Sequence, residues 1–257
     1  MMTRKNPRLF RWLPRIVCMT GLCLTNLAWA GVVVTGTRVI YPEGDREVTI
    51  KLDNNGDMPA LVQTWVDTGD PNVSPDAVEA PFVLTPPVFR IEPAKGQTLR
   101  LAYTRDPLPE DKETVFWLNV LDIPPKASGT DGENVLQMAI RTRIKIFFRP
   151  AVLDAEGASE AVRGMPWKLV PAPQGDGYAV LASNPSPYYV NVATIRIKQG
   201  QQEFDVKDGA MIAPGASQLF AFDRPLPAIP PRTEFDYTAI NDLGALVPLK
   251  AVLNSAP

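Results

Sequence analysis

The side chains that enzymes most often use for nucleophilic and metal chemistry are scarce in this chain. Its 257 residues include no histidine and only two cysteines, Cys18 and Cys23. Serine–histidine triads are therefore excluded, because the imidazole that would serve as the base is missing. The sequence also lacks the GxxxxGK phosphate loop and the GxSxG nucleophile elbow. We predict a protein that acts by binding, without a cofactor, a nucleotide or a catalytic site.

Carboxylates are considered separately, because they bind calcium ions in some proteins and catalyse glycoside hydrolysis in others. The run from Asp53 to Asp57, DNNGD, has the acidic composition of a calcium loop, but it lacks the glutamate that closes such a loop. We interpret it as a hairpin turn and predict no metal site. Pairs of catalytic carboxylates stay open at this point, because such pairs meet only in the folded chain.

Basic residues form a regular pattern in the run from Asn134 to Pro150, which reads NVLQMAIRTRIKIFFRP. Apolar side chains occupy alternate positions, and the basic residues between them are Arg141, Arg143, Lys145 and Arg149. This period of two predicts a strand, and the run is longer than the usual five or six residues. Two interpretations stay open: a half-buried strand of a sandwich, or an exposed edge that pairs with a strand of another protein.

Residues 1–30 have the pattern of a secretory signal peptide. Basic residues between Arg4 and Arg15 precede an apolar run from Ile16 to Leu27, and Ala28-Trp29-Ala30 fits a cleavage site after Ala30. Both cysteines lie in this segment, so the mature chain folds in an oxidising compartment without disulfides. Cleavage removes five of the 26 basic residues and none of the 28 acidic ones. The resulting net charge near −7 argues against a nucleic-acid partner.

The mature chain has an all-β pattern, since short apolar stretches recur between proline and glycine and no long helical period occurs. In its first half, the strands predicted before the run from Asn134 are Val32–Ile40, Glu47–Leu52, Ala60–Asp67, Phe82–Ile91, Gln97–Tyr103 and Thr114–Leu121. A similar number follows from Trp167 onwards. Such a count is typical of one sandwich in each half. We predict two domains, 31–150 and 151–257, joined by a short hinge near residues 149–154.

Several segments resemble the periplasmic chaperones that assemble pili by the chaperone–usher route. LPEDKETVFWLNVLDIPP, from Leu108 to Pro125, is similar to the signature of that family over its whole length. The run from Asn134, together with TPPVFRIEP from Thr85 to Pro93, resembles two strands of the family. NPSPYYVNV from Asn184 and IND from Ile240 resemble segments of its second domain. The resemblance covers nearly all of the mature chain.

The resemblance implies a PapD-like fold, with two immunoglobulin-like β-sandwich domains in a boomerang arrangement around an interdomain cleft. It also implies a chaperone of the periplasm that binds and stabilises pilus or fimbrial subunits and delivers them to an outer-membrane usher without ATP. Each subunit is an incomplete sandwich, and the chaperone completes it by donor-strand complementation. Self-association of the free chaperone stays open. The alternative is a secreted structural pilin or adhesin with immunoglobulin-like domains.

By the same resemblance, a donor strand and a pair of cations bind the subunit. The donor strand runs from Asn134 to Ile140, and its Leu136, Met138 and Ile140 point into the groove of the subunit. Arg38 and Lys145 match the two basic residues that hold the C-terminal carboxylate of the subunit. Strict alternation places Lys145 and Ile140 on opposite faces, so a twist or a bulge is expected between them.

A third group of residues matches a salt-bridge network at the domain junction of that family. These residues are Asp122, Arg149 and Asp242, and Asp122 stands where the family has a glutamate. The resemblance implies that this network sets the angle between the two sandwiches. We treat its role as structural, because a buried ion pair does not always offset the cost of its desolvation.

Overall fold

The computed structural model describes residues 31–125, 136–173, 177–206, 208–230 and 232–255. The predicted signal peptide, 1–30, lies outside the described residues, as do Asn134 and Val135 at the start of the predicted donor strand. One hydrophobic core is built from residues between Val34 and Phe148, and another from residues between Met165 and Leu253. The chain is an all-β protein of two immunoglobulin-like sandwiches, as predicted.

The first sandwich consists of two facing sheets. Its strands are β1 (Val32–Val34), β2 (Arg38–Pro42), β3 (Val48–Asn54), β4 (Ala60–Asp67), β5 (Phe82–Thr85), β6 (Val88–Ile91), β7 (Gly96–Tyr103), β8 (Thr114–Ile123) and β9 (Ile140–Arg149). One sheet has the order β1-β3-β7-β5 and the other the order β2-β9-β8-β4-β6. Strands β2 and β9 run parallel, and the other neighbours are antiparallel.

The core of the first sandwich lies between these sheets. Alternate residues point inwards because side chains on a strand alternate between its faces, and Leu52, Leu118 and Ile146 are fully buried. Tyr41 closes one end of the core. Its hydroxyl accepts a hydrogen bond of 3.0 Å from the amide of Tyr103, which satisfies the phenol oxygen away from water.

The second sandwich follows a short helix. Its elements are α1 (Ala155–Arg163), β10 (Trp167–Pro171), β11 (Tyr178–Ser183), β12 (Val190–Gln199), β13 (Gln202–Asp205), β14 (Ala210–Ile212), β15 (Ser217–Phe220), β16 (Glu234–Ile240), β17 (Leu246–Val252) and β18 (Asn254–Ser255). The sheets have the orders β15-β11-β10-β18 and β13-β12-β16-β17, and β14 also pairs with β12. Trp167 lies in the core, with its ring centroid 5.0 Å from that of Tyr237.

Helix α1 is a feature that the sequence pattern did not predict, because nine residues are too few for a clear helical period. The helix begins after Asp154, whose carboxylate accepts a hydrogen bond of 2.8 Å from the amide of Gly157. The amide of Asp154 donates to the hydroxyl of Tyr188 at 3.0 Å. A Cβ at Gly157 would overlap this hydroxyl, so the glycine allows the helix to pack closely against the second sandwich.

Two of the predicted strands are each divided between the sheets of the first sandwich. The predicted strand Val32–Ile40 is β1 and β2 in opposite sheets, with Gly36 between them at a φ of +94° that favours glycine. The predicted strand Phe82–Ile91 is β5 and β6, separated by Pro86 and Pro87. Proline cannot donate to a ladder of hydrogen bonds, so the chain changes sheets there.

Strand β9 has one edge that is only partly covered. It pairs with β8 from Ile140, opposite Asp122, to Phe148, opposite Thr114. On its other side β2 begins only at Arg38, opposite Lys145. Among the described residues, no strand pairs with that side of residues 140–144. The prediction that the strand begins at Asn134 was wrong for the described residues 136–139, which lie outside any strand.

Candidate functional site

Three large apolar side chains lie at or before the start of β9. Leu136 is 83% exposed, Met138 66% and Ile140 59%. Ile144 and Ile146 continue the same alternating row and are only 8% and 0% exposed, because they lie in the first core. The row thus begins outside its own domain and ends inside it. Exposed apolar side chains beside an unpaired backbone edge are the combination that receives a strand from another chain.

Two cations lie where this open edge ends. Arg38 and Lys145 are opposite one another in the pairing of β2 with β9. The Nη1 atom of Arg38 donates to the carbonyl of Ile240 at 3.2 Å, and Nζ of Lys145 donates to the side-chain oxygen of Asn191 at 3.2 Å. Both acceptors are neutral and belong to the second sandwich. Among the described residues, neither cation forms a salt bridge.

The electrostatics of this cation pair favour an anionic ligand. Burial lowers the pKa of Lys145, and the neighbouring Arg38 lowers it further. Burial also lowers the pKa of Arg38, although Asp242 opposes that effect. The Nε atom of Arg38 is buried and has no hydrogen-bond partner among the described residues. A carboxylate bound between the two cationic groups would relieve the repulsion between them.

The alternation of β9 has a consequence for how a ligand meets these cations. Ile140 and Lys145 lie on opposite faces, and the pairing of β9 with β8 is continuous from Ile140 to Phe148. The bulge that was predicted as one way to redirect the side chains between Ile140 and Lys145 is therefore absent. A strand paired with the open edge would meet Arg38 and Lys145 with its end rather than with its side chains.

A buried ion network joins the two sandwiches at the far end of β9. Nε of Arg149 donates to Glu113 at 2.8 Å, and its two terminal nitrogens donate to Asp242 at 2.8 and 3.1 Å. The other carboxylate oxygen of Glu113 accepts a hydrogen bond of 2.8 Å from the amide of Tyr189. Glu113 and Arg149 are both buried. The bidentate geometry and the backbone contact fix the first sandwich against the second.

The prediction that Asp122 belongs to this network was wrong, and Glu113 takes that position. Asp122 is paired with Ile140, at the opposite end of β9 from Arg149, which at the rise of a strand is about 30 Å away. Its carboxylate instead accepts a hydrogen bond of 3.0 Å from the amide of Val32. The other two predicted members, Arg149 and Asp242, do form a pair.

Arg141 and Arg143 neither line the cleft nor simply face water. Their guanidinium groups converge on the buried carboxylate of Asp67, at 3.4 and 2.6 Å. Both also donate to the side-chain oxygen of Asn119, which is fully buried. Because Asp67 belongs to β4 and Asn119 to β8, these contacts tie the partly covered strand β9 to two neighbouring strands.

The sequence analysis did not identify Glu113, Asn191, Asp67 or Asn119 as site residues. The alternating cations of β9 signal that acceptors lie nearby, because buried charges are usually paired. The identity of those acceptors depends on strand register and on the packing of the two sandwiches. Neither can be read from a single alternating pattern.

Comparison with known proteins identifies the family. Residues 31–154 match the N-terminal domain of PapD, described as a pili and flagellar-assembly chaperone, and residues 160–251 match the C-terminal domain of the pili assembly chaperone PapD. The chain belongs to this family of pilus assembly chaperones. The chaperone is 39% identical over 234 residues to the chaperone protein FimB/FhaD of Bordetella pertussis, a match that covers 90% of this chain and 91% of that protein.

Solved structures lead to the same assignment. The crystal structure of the Pseudomonas aeruginosa CupB2 chaperone matches with a TM-score of 0.72 and 33% identity, over 86% of this chain and 100% of that one. A structure of the Salmonella enterica SafA pilin in complex with the SafB chaperone matches with a TM-score of 0.68 and 26% identity, over 87% and 96%. The prediction of a chaperone rather than an enzyme is confirmed, and the structural pilin or adhesin is not favoured.

In the part of the chain that the structure describes, no helix is long and apolar enough to cross a bilayer.

Proposed function

We propose that this chaperone binds pilus or fimbrial subunits at the open edge of β9. It lends Leu136, Met138 and Ile140 to the groove of an incomplete subunit, and Arg38 and Lys145 bind the C-terminal carboxylate of that subunit. The complex of the SafA pilin with the related SafB chaperone supports this class of partner.

One observation carries the proposal: the open edge of β9 ends at the cation pair. A guest strand that pairs with residues 140–144 has to stop where β2 begins, at Arg38 opposite Lys145. The end of a chain that suits two uncompensated cations is the C-terminus, because it carries the negative charge. The guest strand therefore runs parallel to β9, with its last residue in the cleft between the sandwiches.

The expected energies indicate why both parts are needed. Full burial of the three apolar side chains contributes at most about 5–9 kcal/mol, at about 1.5–3 kcal/mol each. Association itself costs on the order of 4–15 kcal/mol in lost translational and rotational freedom. The apolar row alone thus only offsets this cost. Removal of one partner from a buried, hydrogen-bonded charge pair costs about 2–5 kcal/mol, so the carboxylate site adds to the apolar row and fixes the register of the strand.

Delivery and release follow from the same surface. We propose that the chaperone works in the periplasm, where its predicted signal peptide would direct it, and passes subunits to an outer-membrane usher. The sequence has no nucleotide motif, so binding energy alone supports folding. Release occurs when a segment of another subunit replaces the lent strand. The same exposed edge is the surface through which two free copies would pair.

The proposal is tested by removing each cation. Arg38→Ala and Lys145→Ala are co-expressed with a cognate pilus subunit, and recovery of the complex is measured. We expect at least about a thirtyfold loss of affinity for each variant, with unchanged folding of the free protein. Arg90→Ala is the matched control, because Arg90 belongs to β6 of the same sheet and its side chain is 63% exposed. Normal recovery of the complex with both cleft variants would contradict the carboxylate site.

A further inference from the structure

A cavity of about 210 Å³ opens beside Arg38, between the first sandwich and the second. Its apolar lining includes Phe147 of β9, Val162 of α1, and Val247 and Leu249 of β17. The proposed donor strand and carboxylate site use Arg38 but leave this space unexplained.

The cavity is lined by paired carboxylates and by cationic groups that have no salt bridge within the described part of the chain. Two carboxylates line it, Glu113 and Asp242, and both are already paired with Arg149 at 2.8 Å. Arg38 and Arg163 also line it, and neither forms a salt bridge among the described residues. The cavity therefore combines apolar walls with guanidinium groups that no carboxylate of the described residues neutralises. A ligand that fits carries a carboxylate directly beside an apolar group.

The size of the cavity limits that apolar group to one side chain. An apolar cavity of roughly 150 Å³ is large enough to hold a benzene molecule. The space beside Arg38, at about 210 Å³, therefore accommodates one aromatic or large aliphatic side chain. It is smaller than the roughly 300–1,000 Å³ of pockets that bind drug-sized ligands.

We propose that this cavity binds the side chain of the last residue of the subunit, and that it selects subunits that end in an aromatic or large aliphatic residue. The inference rests on the proposed function, because the carboxylate of that same residue lies between Arg38 and Lys145. The α-carbon of a C-terminal residue joins a carboxylate to a side chain. When the carboxylate binds Arg38, the side chain is next to the cavity that Arg38 lines.

The selectivity is measured with short synthetic peptides bound to the purified chaperone. The peptides share one alternating apolar sequence and an N-terminal fluorophore, and they end in phenylalanine, in alanine or in phenylalanine amide. We expect the free acid that ends in phenylalanine to bind at least about tenfold more tightly than the one that ends in alanine. The amide should bind more weakly than the corresponding acid, because it lacks the charge.

A variant that fills the cavity separates the two parts of the site. Ala158 lines the cavity from α1, and Ala158→Leu introduces a good helix former there. This variant should lose the preference for phenylalanine and keep the preference for the free acid. Glu160→Leu is the matched control, because Glu160 lies exposed on the same helix and does not line the cavity. It should retain both preferences.

Each result bears on a different part of the account. Equal binding of the two free acids, with weaker binding of the amide, would overturn the side-chain cavity and leave the carboxylate site intact. The same conclusion would follow if Ala158→Leu kept the full preference for phenylalanine. Equal binding of acid and amide, or no binding of any peptide, would instead contradict the carboxylate site itself.

Discussion

Replacement of Ile140 by alanine tests whether this side chain contributes to subunit binding or to the hydrophobic core of its own domain. Ile140 is 59% exposed, so about three fifths of the roughly 1.5–3 kcal/mol from full burial of an isoleucine becomes available only in the complex. That fraction is about 1–2 kcal/mol. Since each 1.4 kcal/mol is a factor of ten in affinity, subunit binding should weaken about five- to thirtyfold. Ile140→Asp should weaken it further, because a charge would enter an apolar groove.

The control for this experiment lies on the same face of the same strand. Ile146 is fully buried, so Ile146→Ala should lower the free energy of unfolding by about 2–5 kcal/mol, whereas Ile140→Ala should lower it by about 1 kcal/mol at most. Denaturant unfolding of the free chaperone and titration with a subunit measure the two effects. If Ile140→Ala destabilised the chaperone as much as Ile146→Ala and left subunit affinity unchanged, Ile140 would belong to the core of its own domain.

Two further predictions concern the charged groups. Subunit affinity should fall as pH rises through the lowered pKa of Lys145, and this fall should occur at a lower pH than for an ordinary lysine, whose pKa is about 10.4. Lys145→Arg should move the fall in affinity to higher pH. A titration of the variant that shows no such shift would refute the role of Lys145. Because the pKa of Lys145 is lower in the folded chain than in the unfolded chain, the unfolded chain binds more protons between these two pKa values. The contribution of Lys145 to the free energy of unfolding therefore rises with pH in this range, so unfolding does not explain the loss of subunit affinity. Glu113→Ala should cost about 2–5 kcal/mol, because Nε of buried Arg149 and the amide of Tyr189 both lose their acceptor. Asp122→Ala loses one hydrogen bond from the amide of Val32 and should cost about 1 kcal/mol. Equal melting temperatures of these two variants would contradict the observed network.

The parts of the fold that the sequence predicted are those that depend on local pattern. The alternation from Ile140 to Arg149 identifies β9, because period-two burial is a property of the strand itself. The positions where the chain changes sheets were missed, since Gly36 and the pair Pro86-Pro87 interrupt strands whose apolar pattern continues on both sides.

The site was predicted in part for a similar reason. Arg38, Lys145 and the exposed apolar row lie on strands whose motifs are distinctive, and the structure brings the two cations together. Glu113 and Asp122 are both acidic residues within the same signature, and the sequence alone does not decide which one contacts Arg149. That choice is set by the register of β8 against β9, in which Thr114 rather than Asp122 lies opposite Phe148. The cavity beside Arg38 forms where the two domains pack together, so it could not be predicted from a local sequence pattern.

The central claim, that the open edge of β9 receives a strand from a subunit, is tested most directly by hydrogen exchange. Backbone amide exchange is measured in the free chaperone and in its complex with a subunit, and the segment 136–144 is compared with β13, an edge strand of the second sandwich that does not line the cavity. We predict strong protection of residues 136–144 in the complex, because their unpaired backbone groups gain hydrogen bonds, and no change in β13. Unchanged exchange in residues 136–144, with protection at another surface, would contradict the account.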